Sequence, residues 1–253
     1  LSGISGDMTL GALVDLGASA NEIEAAVRSM GLPELAIGSR SVKKSGFRAI
    51  QVEIGHPPEH AHRHLHHITQ MIDQSQLSLP QKELATRIFT RLGEAEAKVH
   101  GTTLEKVHFH EVGAVDSIAD IVGTALALDL LGADRIACSP IPTGTGHVTI
   151  AHGRVAVPAP ATAELLKGIP LAPSEISAEL TTPTGAAIVA TVVDEFGPLP
   201  PMAIAEIGYG AGSRDFEAQA NLLRVFVGEA GGAVLHDQIW ILETNLDDVS
   251  GEI

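Results

Sequence analysis

Apolar positions along the chain switch repeatedly between helical and strand periodicity, and that alternation predicts a mixed α/β fold. Apolar residues recur three and four apart in TLGALVDLG (residues 9–17) and in residues 20–30. The pattern is strongest in residues 80–99, where Leu84, Ile88, Leu92 and Ala95 form one stripe. Gly31 with Pro33 beyond it stops the second of these helices, and Gly101 stops the third. The same spacing predicts helices over 117–131, ended by Gly132, over a short segment 161–168, and over 184–196. LAIGSRSVKKS and FRAIQVEI instead alternate on either side of Ser45-Gly46, which predicts a hairpin within 35–54. RIACS (135–139) reads as a short buried strand, and residues 202–227 read as further strands. The expected architecture is a mixed sheet with flanking helices and a helical segment carrying a histidine-rich loop, that loop being mobile and exposed.

Composition sharpens this picture. Of 253 residues, 45% are hydrophobic, enough for a sizeable core, but only 3% are aromatic, so the core must be aliphatic. A net charge of -15 argues against binding a nucleic-acid backbone, although Lys43, Lys44 and Arg48 could still hold one small phosphate. Cys138 is the single cysteine, which excludes an intramolecular disulfide and suits a reducing, cytoplasmic setting. No apolar run reaches the length of a membrane span, so no membrane partner is expected. The chain opens at Leu1 inside a loop-like stretch and stops at Ile253 just after a fresh acidic motif, so a longer natural protein is expected. Residues 1–230 read as one α/β domain. A glycine-containing connector follows, and 239–253 reads as the start of a truncated second domain.

The densest chemistry lies in VHFHEVGAVDSIADIVG (107–123). On a strand, His108 and His110 share a face; on a helix, Asp116 and Asp120 share one. Ile118, Ile121, Val122, Ala125 and Leu128 fall opposite the aspartates, and Gly123 and Ala127 beneath them, so the carboxylate face should border a cleft. Two imidazoles, Glu111 and two aspartates so close together suit a metal ion or acid–base chemistry. The plainer alternative is capping, because Ser117-x-x-Asp120 fits a capping box and Asp116 could itself be the N-cap.

Other stretches offer ligands of two kinds. SGISGDM (2–8) leads into a helix, so Ser2, Ser5 and Gly6 could offer an anion site, while Asp7 could bind a cation or cap the helix. TTPTG places Thr182, Thr184 and Gly185 at another helix start, where a phosphate or carboxylate would be well held. HPPEHAHRHLHH carries six histidines from His56 to His67, and His60, His62, His64, His66 and His67 read as a loose metal reservoir. His147 and His152, each beside a glycine, bracket a short strand, and Gly208, Gly210 and Gly212 suggest a loop that something approaches closely.

Taken in order, SGISGDM, the histidine tract, VHFHEVGAVDSIADIVG, GTGHV…AHG…VPAPAT, ELTTPTGAA and IGYGAG closely resemble the nickel-insertion proteins of nickel-pincer cofactor biosynthesis. The resemblance runs from Ser2 through Gly212, and NLDDVSGE resembles the opening of that family's next domain. It implies a lyase-type enzyme that places Ni(II) into pyridinium-3,5-bisthiocarboxylic acid mononucleotide, consuming CTP with Mg(II) or Mn(II). By the same resemblance the nucleotide site belongs to the C-terminal domain. A homo-oligomer is expected.

That chemistry suits the residues. Nickel needs imidazole or carboxylate carriers that bind yet release to sulfur, and forming a nickel–carbon bond requires a base for the ring proton. His108, His110 and Glu111 could serve either need, Asp116 and Asp120 could hold nickel, magnesium or manganese, and the two helix-start loops, with His147 or His152, could hold the substrate. Asp7, His108 to Asp120, His147 or His152, and Thr182 to Gly185 should then converge on one cleft. Two rivals are a nickel storage or delivery chaperone without catalysis, and a phosphohydrolase using Glu111, Asp116 and Asp120.

Overall fold

The first two apolar stripes become helices α1 (Gly6–Asp15) and α2 (Ala20–Arg28), and the Ser19 hydroxyl caps α2 by accepting from the Glu22 N–H. The computed structural model describes residues 2–58, 63–109 and 113–230, and the backbone of 238–244. Strands β1 (Ala36–Lys44) and β2 (Phe47–Gly55) form the expected hairpin. Ser45 and Gly46, at φ 48° and 90°, give it two left-handed turn residues, the pairing that matches strand twist. Next come β3 (Arg63–His64), α3 (Leu65–Gln74), α4 (Leu79–Val99), β4 (His108–Phe109) and α5 (Val115–Leu131). A reciprocal capping box between Ser78 and Gln81 starts α4, and left-handed Gly132 ends α5.

The remaining elements are β5 (Arg135–Cys138), β6 (Ile141–Pro142), β7 (His147–Ile150), β8 (Gly153–Ala156), α6 (Pro160–Leu165) and β9 (Leu171–Ala172). After them come α7 (Pro183–Val192), β10 (Glu195–Phe196), β11 (Met202–Ala211), β12 (Leu222–Ala230) and β13 (Gln238–Thr244). Seven strands form one mixed sheet in the order β1-β2-β11-β12-β13-β5-β10. Its β1–β2, β11–β12 and β12–β13 pairs are antiparallel, whereas β2–β11, β13–β5 and β5–β10 are parallel. The fold is thus α/β, with a mixed sheet and flanking helices. The boundary expected near Ile239 falls inside β13, which pairs with β12 and β5; residues 245–253 lie outside the described residues. No helix among the described residues is long and apolar enough to cross a membrane.

Helix α1 lies directly on the sheet because glycine removes the side chains between them. A Cβ at Gly11 would come 2.6 Å from the Ile50 carbonyl, and at Gly208 or Gly210 it would overlap the carbonyls of Ala12 or Met8. Gly208 and Gly210 are therefore in the end of strand β11 rather than a loop, and what approaches them is α1; Gly212 lies just past the strand, against the Asn221 side chain. On the other side of α1, Leu10 and Ile23 press on Gly123 of α5, and Leu13, Val27, Ile118, Ile121 and Val122 complete an aliphatic core. Phe89 and Phe109 are the large aromatics fully enclosed within it.

Two further expectations change. The histidine tract is not a loop throughout: from Leu65 it is helix α3, because Ile68 and Ile72 form a fully buried stripe packed on the core. Residues 59–62, with His60 and His62, lie outside the described residues. The helix expected over 184–196 ends at Val192. Glu195 and Phe196 instead pair with Ala137 and Cys138 as the edge strand.

Candidate functional site

The starts of α1 and α7 meet. Thr182 donates its N–H to the Ile4 carbonyl (3.1 Å), and a Cβ at Gly185 would overlap that same carbonyl, so the two first turns touch through glycine. Both helices point their N-terminal, partly positive ends at one place. Beside it lies a cleft of about 160 Å³ whose wall includes Ser5, Asp7, Glu179, Thr182, Arg214 and Asn221. Ser5 is the N-cap of α1, but its hydroxyl donates to Asp7 Oδ1, which also accepts from the Met8 N–H (2.9 Å).

Several predicted phosphate ligands are already committed elsewhere. The Gly185 N–H donates to the Thr182 hydroxyl, the threonine cap of the plainer reading. Thr184 is buried, and the buried Ser2 hydroxyl donates to the Ala220 carbonyl (2.6 Å). Ser5, Asp7 and Thr182 do line the cleft. The residue that sequence reasoning missed is Arg214. Lys44 Nζ and Asn221 Nδ2 both donate to its carbonyl, and Lys44 also pairs with Asp215 at 2.6 Å, so the loop is pinned and the exposed Arg214 lines the cleft. Its signal was GSRD directly after the glycine strand, a cation next to a backbone that must turn.

The two aspartates of α5 are not caps. Ala114 is the N-cap, without a side-chain bond; Asp116 Oδ1 accepts from the neighbouring Ser117 N–H, and Asp120 sits a full turn further on. Asp120 instead lies against the first turn of α1, where a Cβ at Gly6 would overlap its carboxylate. Its Oδ1 is sealed from solvent and has no hydrogen-bond partner among the described residues. Enclosure first, then the charges of Asp7 and Asp116, hold this carboxyl well above the usual carboxylate range. Asp7, which lines the cleft, and Asp120, packed against Gly6 in the same turn, thus form one acidic corner, and Asp116 is exposed on the same helix as Asp120.

His108 goes elsewhere. In the β3–β4 ladder it pairs with His64, their ring centroids 3.9 Å apart, and His64 Nδ1 lies 3.0 Å from the Val107 carbonyl. His66 and His67 stack beside them, with centroids 3.9 Å apart and 5.4 and 5.5 Å from His64. Desolvation, then the neighbouring charges of His66, His64 and Arg63, hold His67 below the ordinary histidine range, which favours the neutral, metal-binding imidazole. The rings meet at faces and edges, and among the described residues no three His, Cys, Asp or Glu side chains are set to close round one metal ion. His110 and Glu111 lie outside the described residues.

His147 and His152 sit at opposite ends of the β7–β8 hairpin, His147 exposed on β7 and His152 in the turn. The His152 ring packs on His100, the residue that ends α4, at 4.7 Å. The residues expected in one cleft fall into three groups: the acidic corner, the imidazole cluster, and the His100–His152 pair.

Known proteins resemble this chain along its whole length. A relative from Rhodopirellula baltica, provisionally named a nickel insertion protein, is 57% identical over 259 residues, covering 100% of this chain and 65% of that protein. A Geobacillus kaustophilus protein named for nickel insertion into pyridinium-3,5-bisthiocarboxylic acid mononucleotide is 46% identical over 270 residues, covering 99% of this chain and 66% of that protein. The chain thus spans about 65% of the length of such relatives. No solved structure matches it. The nickel insertion protein family matches residues 1–253 throughout, and with that match and these identities the chain belongs to the nickel insertion protein family.

Proposed function

We propose that this protein takes part in inserting Ni(II) into pyridinium-3,5-bisthiocarboxylic acid mononucleotide, a lyase-type step that consumes CTP. The observation carrying this reading is the meeting of the α1 and α7 starts at a cleft lined by Asp7 and Arg214, with Asp120 packed against Gly6 of the same α1 turn. Two helix N-termini and an arginine suit the phosphate of a mononucleotide, held by Arg214 with the Thr182 hydroxyl. The orphaned Asp120 Oδ1 fits a divalent cation: Asp120 and Asp7 would hold it with Asp116 nearby, and the remaining positions would fall to substrate and water. Such a cation would neutralise carboxylates and draw the phosphate in.

Nickel is cargo in this scheme. His64, His66, His67 and His108 are the gathering surface, with His60 and His62 of the same tract. Imidazole binds nickel well and yields it to sulfur donors, so a cluster without a closed cage suits delivery. His108 is then better used with His64 than as the base, and His110 and Glu111 are the proposed acceptors for the ring proton. Because the nucleotide site is expected in the C-terminal domain, the test incubates the full-length protein with Ni(II), CTP, Mg(II) and the bisthiocarboxylated mononucleotide and follows the small molecule by mass spectrometry. Nickel should appear in the mononucleotide, and Arg214→Ala should raise KM by about tenfold, the loss of one charge-assisted phosphate contact. Release of inorganic phosphate without nickel uptake would favour the phosphohydrolase instead, and nickel bound only to protein the chaperone.

A further inference from the structure

Next to the phosphate cleft lies a second, larger cavity of about 230 Å³, bounded by α4, the β7–β8 hairpin and the start of α6. Its walls are mostly apolar, with Val99, Ile150, Val155 and Ala161 among them. Four titratable side chains are set into those walls: Glu96, His100, His152 and Glu179. His100 Nε2 lies 3.2 Å from Glu96 Oε2, and the His152 ring lies across His100 at 53°. Glu179 also belongs to the wall of the phosphate cleft, and Pro183 follows directly on Thr182, so the two chambers share one partition.

We propose that this cavity is the ring chamber of the same site, taking a flat, cationic heteroaromatic ring whose ribose phosphate reaches past Glu179 into the neighbouring cleft. The inference rests on the mononucleotide reading above and adds where the ring goes and what selects it. Apolar walls remove the ring faces from water, and the imidazole pair offers flat partners for stacking. The carboxylates of Glu96 and Glu179 favour a ring bearing positive charge over a neutral one of the same shape.

The experiment measures calorimetric affinities for three probes: ribose 5-phosphate, nicotinate riboside (a pyridinium ring on ribose without phosphate), and nicotinate mononucleotide. Each is titrated into the wild-type protein, into Ala161→Leu, which fills the cavity, and into His152→Ala, which removes an exposed side chain. Nicotinate mononucleotide should bind at least about tenfold more tightly than ribose 5-phosphate, as expected for burying one ring face. Ala161→Leu should abolish that gain, and His152→Ala should cut it several-fold, with ribose 5-phosphate affinity unchanged in both. Melting temperatures of the variants report their folding, and His152→Ala stands alone if Ala161→Leu is unfolded. A ring that adds nothing to ribose 5-phosphate affinity, or a ring gain insensitive to the variants that fold, overturns the proposal. Failure of ribose 5-phosphate to bind, with riboside binding still lost in the variants, would overturn the phosphate cleft and leave the ring chamber standing.

Discussion

Replacing Asp120 by asparagine should make the protein more stable and less able to hold a divalent cation. The carboxylate lies against Gly6 with one oxygen sealed and unpartnered, near Asp7 and Asp116, so its ionised form is disfavoured in the folded state. An unfolded aspartate titrates near pH ~3.9, and the folded value lies well above that. Below the unfolded value both states are protonated and the stability is fully present. As pH rises towards the folded value, the unfolded chain releases its proton first, so stability is lost across that window. Asparagine does not titrate. Its advantage should be absent near pH ~4, grow as pH rises, and level off only above the raised folded value.

Asparagine removes only the cost of an enclosed, unpaired charge, roughly 1–3 kcal/mol; because the Asp120 residue as a whole keeps some exposure, the lower half of that range is expected. That corresponds to a rise of about 2–8 °C in Tm for a chain of this size. Adding Mg(II), Mn(II) or Ni(II) at about a hundred times its Kd should stabilise the wild type by about 2.7 kcal/mol, and the variant by much less. The assay is thermal and urea unfolding from pH 4 to 8, with chelator and with each metal. An asparagine variant less stable than wild type at pH 7 in chelator, or an advantage undiminished at pH 4, would refute the charge argument. Equal stabilisation of both proteins by metal would refute the ligand role.

Gly210→Ala should destabilise by about 1–3 kcal/mol in urea unfolding, because its Cβ meets the backbone of α1. Gly197→Ala, where a Cβ meets nothing within 4 Å, should stay within about 0.5 kcal/mol and serves as the control. Replacing His60, His62, His64, His66 and His67 by alanine should lower the nickel bound at equilibrium dialysis and leave the fold intact, with insertion by the full-length protein falling mainly when nickel is scarce. His108→Ala should lower bound nickel in the same assay, because its ring rests on His64.

Much of the fold was legible in local pattern. The stripes of residues 80–99 and 117–131 became α4 and α5, and Ser45-Gly46 became the hairpin turn. In each case the determining physics lies within a few neighbours: periodicity, a cap, a left-handed turn pair. Local patterning failed where tertiary contact decided. Gly208 and Gly210 look like loop residues until α1 is seen lying on them. The histidine tract looks like low complexity until Ile68 and Ile72 are seen buried.

The functional residues divide along the same line. From the sequence alone came the chemical inventory: two anion-friendly helix starts, paired aspartates four apart on one helix, an imidazole-rich tract, and the ordered motifs of a nickel-insertion family. None of that says which members of the inventory meet, because spacing along the chain constrains distance only within one element. The sheet brings Arg214 to Ser5 and Thr182, Gly6 admits Asp120 to the start of α1, and the β3–β4 ladder carries His108 away to His64. Those pairings join residues tens to hundreds of positions apart, and they are fixed by which backbones can touch without a Cβ between them and by which apolar stripes must be buried together.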